Sequence, residues 1–221
     1  MQPGQKMTDG QGHQVCLFPL TSMNITQWNG PGTYSHCCGH MADYGTNGVR
    51  TPVYAPCDMH LTYDAHTSAH TLFYCSDKQV LTPSGLSWVS IQLTHDQYPP
   101  YLQNVKQGEV IYHSGNAGAY SLGIHLHLDQ SLQKDARWYG TGMFCATDCW
   151  TIRGSIEPQF VFYINDTAII DDRGKDWKYF DPVDPPIPPE PPHPEPPQPT
   201  PGSGGNFKWY LYKQLFDRRF R

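Results

Sequence analysis

Gly123-Ile124-His125-Leu126-His127-Leu128 alternates strictly between apolar side chains and histidine. In an extended strand, residues two apart share a face. His125 and His127 therefore point one way, and Ile124, Leu126 and Leu128 point the other. One face suits a hydrophobic core. The other presents two imidazoles that either share a metal or divide into one ligand and one catalytic base.

Short apolar runs separated by turn residues extend this pattern along the chain. They include Val53-Tyr54-Ala55, Thr71-Leu72-Phe73-Tyr74, Trp88 to Leu93, Glu109-Val110-Ile111-Tyr112 and Phe160 to Ile164, with Gly or Pro between most of them. The 221 residues include 20 Gly, 21 Pro and 14 Tyr, and only 16% are charged. Turn formers and aromatic strand residues in such numbers predict an all-β fold, an antiparallel sheet or open sandwich. The net charge of −5 gives no basic face for a nucleic acid.

Two further segments hold residues able to join the strand histidines. Tyr34-Ser35-His36-Cys37-Cys38-Gly39-His40-Met41-Ala42-Asp43 offers a histidine and an aspartate seven positions apart. Zinc accepts imidazole nitrogen and carboxylate oxygen, and a catalytic site keeps its fourth position for water. His36, Asp43 and one histidine of the strand pair complete such a set. A rival cluster of His36, Cys37, Cys38 and His40 is disfavoured, because adjacent cysteines rarely reach one metal together. The other segment is Ile91-Gln92-Leu93-Thr94-His95-Asp96, in which His95 follows an alternating strand. Alone, such a histidine more often serves a surface than a reaction.

Taken in order, these pieces resemble the lysostaphin and LytM-type zinc endopeptidases over roughly residues 30 to 130. Thr51-Pro52-Val53-Tyr54-Ala55-Pro56 is similar to the family's segment after the aspartate ligand. Val105-Lys106-Gln107-Gly108-Glu109-Val110-Ile111 resembles its V-x-x-G-x-x-I turn. Gly115-Asn116-Ala117-Gly118 and Gly123-Ile124-His125-Leu126-His127 resemble its closing signature. The resemblance implies a groove holding Zn²⁺, with His36, Asp43 and His127 as ligands and His95 and His125 as catalytic histidines. It implies peptide bonds of bacterial peptidoglycan as substrate. Cys37 and Cys38 after the first ligand, and Asp58-Met59 in place of a turn glycine, depart from the family pattern and bear on groove shape.

Zinc chemistry at such a site needs no Cys or Ser nucleophile. The H-E-x-x-H helix motif of another zinc-peptidase class is absent. The competing reading is a non-catalytic wall-binding or structural module of a phage tail with a vestigial site. Loss of any one of the five residues would have favoured it, and all five are present.

Residues 1–15 read as a loose lead-in with no apolar segment of a secretory signal. Residues 16–180 form the expected peptidase domain. Residues 181–205 read as a linker, since twelve of the 21 prolines fall between Pro182 and Pro201 and Gly202-Ser203-Gly204-Gly205 follows. Residues 206–221 mix aromatic and basic side chains in a segment too short to form its own core, so it is expected to dock on a partner protein, an anionic surface or its own domain. No stretch approaches a membrane span. Together these features predict a phage virion protein tethered to the tail through residues 206–221, or an enzyme released at host lysis. Seven cysteines leave at least one unpaired within the chain. Cys57–Cys75 and Cys145–Cys149 are the candidate bridges, with free buried thiols as the alternative.

Overall fold

The computed structural model describes residues 1–30, 36, 39–119, 121–138 and 150–182. Twelve strands run through them in order: β1 (Ser22–Gln27), β2 (Ala42–Gly45), β3 (Pro52–Tyr54), β4 (Met59–Asp64), β5 (Leu72–Ser76), β6 (Val80–Thr82), β7 (Gly85–Ser87), β8 (Ser90–Thr94), β9 (Asn104–Val105), β10 (Val110–His113), β11 (His125–Ser131) and β12 (Ala168–Asp171). Helical structure among the described residues is limited to one 3₁₀ turn at Pro158–Phe160, and no helix is long and apolar enough to cross a membrane.

Eight strands form one sheet in the order β12-β1-β2-β11-β8-β5-β4-β9. Every neighbouring pair is antiparallel except β1 with β12. The strands β10 and β3 make a separate antiparallel ribbon, and β6 pairs with β7. The all-β antiparallel expectation is met.

The alternation that opened the reading explains where β11 sits. Leu126 and Leu128 are fully buried among Ile91, Leu93, Tyr44 and Phe18. The Phe18 ring meets Tyr44 edge-on at 5.1 Å and Trp177 at 5.5 Å. Each such apolar side chain contributes about 1.5–3 kcal/mol on burial. A one-residue slip of β11 would send these leucines to the other face and the histidines into the core. Core packing thus fixes which way the histidines point.

Several expectations change on inspection. The lead-in expected to be loose, residues 1–15, is docked. Met1 and Val15 join Leu17, Tyr54, Tyr163 and Phe180 in a second apolar cluster. Gly4 N–H also donates to Gly108 O at 2.9 Å. Gly108 has φ +83°, and a Cβ there would lie 2.7 Å from the backbone of Gly4 and Gln5, so the close approach requires glycine.

Phe160 to Ile164 is buried in large part but is not a strand. The N–H groups of Val161 and Phe162 both turn back to Pro158 O, which removes them from any ladder and leaves only a bridge between Tyr163 and Leu17. The candidate Cys57–Cys75 bridge is not formed. Cys16, Cys57 and Cys75 are free and buried. Cys57 instead lies with Cys16 in the main hydrophobic core, and Cys75 Sγ accepts the Asp135 N–H at 3.3 Å. Cys37, Cys38, Cys145 and Cys149, nearly all of the linker and the whole tail lie outside the described residues.

Candidate metal centre and active site

Three adjacent strands bring the site together. On β11, His127 lies opposite Asp43 of β2 on one side and Thr94 of β8 on the other. Directly opposed residues on antiparallel strands point to the same face. Asp43 and His127 therefore meet side by side, with His127 Nδ1 3.0 Å from Asp43 Oδ1. His36 enters from the segment before β2. It is fully buried, and its Nε2 lies 3.3 Å from the same carboxylate oxygen. His125 Nε2 is 3.8 Å from that oxygen.

One donor atom from each of His36, Asp43 and His127 falls within 4.8 Å of the others. Neither ring nitrogen of His36 has a hydrogen-bond partner among the described residues. A buried polar atom without a partner costs about 1–3 kcal/mol, and a metal ion would satisfy it. Two imidazoles and one carboxylate are also the donor set of a catalytic zinc site. Burial holds the His36 pKa below the ordinary histidine value, although Asp43 opposes this. For Asp43, burial pushes upward, but the hydrogen bond from His127 and the neighbouring His36 imidazole outweigh it and hold the carboxyl well below the usual range. Neutral imidazole and ionised carboxylate are the forms that bind metal. The residues fit the ion.

His95 and His125 stand beside this cluster, with ring centroids 4.5 Å apart. Each gives its Nδ1–H to a carbonyl: His95 to Ala117 O at 2.7 Å and His125 to Gly123 O at 2.8 Å. A carbonyl can only accept, so the proton belongs on Nδ1 and each Nε2 is left for a reacting group. Burial, together with the charges of His127 and His125, lowers the His95 pKa to about 4.

Four of the five, Asp43, His95, His125 and His127, border a groove of about 760 Å³, with His36 buried behind them. Its far wall is aromatic. Trp138 and Trp150 meet edge-on at 4.5 Å, and both are tied to β8 by the buried Gln92. Its Oε1 accepts Trp138 Nε1–H at 2.8 Å, and its Nε2–H donates to Trp150 O at 3.1 Å.

All five expected residues converge. The rival Cys/His cluster gains no support from His40, which is exposed and contacts Asn29 instead. The sequence reading passed over Gln92, Asp96 and Asp129. The last was detectable, since the two-residue period that pairs His125 with His127 continues to Asp129. Its buried carboxylate accepts Thr151 Oγ–H and Ile152 N–H, each at 2.8 Å, and burial raises its pKa.

Among solved structures, lysostaphin from Staphylococcus simulans is similar at 18% identity and a TM-score of 0.40, covering 57% of this chain and 50% of that one. LytU is similar at 20% identity and a TM-score of 0.39, covering 71% and 89%. A zinc-containing peptidase from Vibrio cholerae is similar at 16% identity and a TM-score of 0.37, covering 57% and 42%. A curated relative, Morphogenesis protein 1 of Bacillus phage B103, is 32% identical over 176 residues. That alignment takes in 77% of this chain, and the chain spans 46% of the relative's length. No family model matches the chain.

Proposed function

We propose that the protein is a zinc-dependent endopeptidase of the lysostaphin/LytM family that hydrolyses peptide bonds of bacterial peptidoglycan. The observation that carries this reading is the approach of His36 and His127 to one Asp43 oxygen, with two further imidazoles held in a fixed tautomer alongside. His36, Asp43 and His127 would hold Zn²⁺. When bound there, the ion supplies Lewis acidity that polarises a peptide carbonyl and acidifies water.

The chain's own residues do the rest. His95 and His125, each giving Nδ1–H to a carbonyl, leave Nε2 to take a proton from water as it attacks the peptide carbonyl. The resulting imidazolium then donates to the developing oxyanion or returns the proton to the departing amine. The strands hold these rings in place, so little reorganisation is needed at the moment of reaction. The groove would take an extended peptide across this face of the sheet.

The B103 relative supports a place among phage proteins. In this reading residues 16–180 are the catalytic domain, residues 181–205 a linker, and residues 206–221 a tether to a phage tail protein that brings the enzyme to the wall. Release at host lysis is the alternative route. Purified walls test the core of the proposal. Release of new amino groups should stop on chelation and return with added zinc, and a fully active metal-free preparation would reject it. Proteomics of purified particles decides between tether and lysis.

A further inference from the structure

We infer that Asp96 is the positioning residue for His95, an inference that rests on the peptidase reading above. His95 is the first residue past β8, and its φ of +92° is one that side-chain-bearing residues rarely adopt. Such a conformation persists only where the surroundings over-determine it. Here they do. His95 N–H donates to Ala69 O, and its O accepts Ala117 N–H, both at 2.9 Å. Gly115 packs so closely that a Cβ there would lie 2.1 Å from His95 O and 2.9 Å from Asp96 Cα.

The next residue anchors this bend. Asp96 is fully buried, and every polar atom it has is engaged. Its Oδ1 accepts Arg50 Nε–H at 3.1 Å, Arg50 Nη2–H at 2.8 Å and Tyr98 N–H at 3.0 Å. Its Oδ2 accepts Arg50 Nη2–H and His113 N–H, each at 3.1 Å. Its N–H donates to Tyr112 Oη at 3.1 Å, and its carbonyl accepts His70 Nδ1–H at 2.9 Å. These partners come from the β2–β3 loop, the β4–β5 loop, strand β10 and the turn after His95. Asp96 thus gathers four parts of the fold at the residue beside a catalytic imidazole, without itself lining the groove. A carboxylate is required. In Asn, either orientation of the amide sets an NH₂ against a backbone N–H and the guanidinium.

The test is a double-mutant cycle in the full chain. Asp96→Asn should slow peptide release from purified walls by roughly 10²-fold at saturating wall concentration, a loss typical of a misplaced catalytic group, with zinc content unchanged. If Asp96 acts through His95, adding Asp96→Asn to His95→Ala costs nothing more. A double variant slower by the full Asp96→Asn factor overturns the proposal. Arg50→Gln, at the half-exposed end of the pair, runs the same cycle if Asp96→Asn does not fold.

Failure of the peptidase reading looks different, because the wild-type chain itself would release nothing. The His95 ring then still decides. ¹⁵N spectra should show a single Nδ1–H tautomer in the wild type and a mixture in Asp96→Asn, and identical spectra would sink the proposal.

Discussion

His127 and Asp43 are register partners on adjacent antiparallel strands, and this alone sets His127 Nδ1 3.0 Å from Asp43 Oδ1. Two of the three proposed ligands are therefore placed by backbone hydrogen bonding, not by loops. The third, His36, is brought in by burial. The variants below follow from that division.

His127→Ala leaves only His36 and Asp43 as protein ligands. Zinc content, measured by elemental analysis of folded protein, should fall sharply from about one per chain, and turnover should fall with it. His125→Ala should keep the metal while the rate drops roughly 10²–10⁴-fold, the usual scale for lost acid–base catalysis. If His125→Ala lost zinc and His127→Ala kept it, the two roles would be exchanged.

Leu128 lies one residue beyond His127 and faces the opposite side, fully buried. Leu128→Ala should destabilise the protein by about 2–5 kcal/mol, as is usual for a core leucine. Urea denaturation would read this as a lower midpoint with little change in slope. The zinc content of the fraction still folded should match the wild type, since core and site occupy opposite faces. Loss of zinc from folded protein would count against that separation.

Acid should weaken the metal-free protein in a defined window. The native His95 pKa of about 4 lies below the value of about 6.5 expected in the unfolded chain. Above that higher value neither state holds the proton, and the group is neutral to stability. As pH falls towards 4, the unfolded chain takes up a proton that the native state refuses, so stability declines. With chelator present, the melting temperature should fall between pH 6.5 and pH 4, less steeply in His95→Gln. Equal slopes for the two proteins would contradict the lowered pKa.

Much of the site was legible because its signals are local. The His125/His127 alternation fixed a strand, a face and a core in six residues, and the same period extended to Asp129. His95 was harder. Nothing in Thr94-His95-Asp96 announces a left-handed bend, and the partners of Asp96 lie 46 positions earlier, at Arg50, and 17 later, at His113. Phe160 to Ile164 misled because a buried apolar run reads alike as a strand or a turn, and Pro158 decided between them. The docking of residues 1–15 was hidden because its apolar anchors, Met1, Met7 and Val15, are isolated from one another among polar, proline and glycine residues.

Gln92 belongs to the strand that ends just before His95, and its one amide secures both Trp138 and Trp150. In the proposed peptidase, groove wall and catalytic histidine are thereby mounted on a single beam. A chimera that imports the 138–150 segment from another protein, but not a residue able to both accept and donate at position 92, would arrive with Trp138 and Trp150 unmoored. Retuning what this groove admits means redesigning the strand and the wall as one cassette.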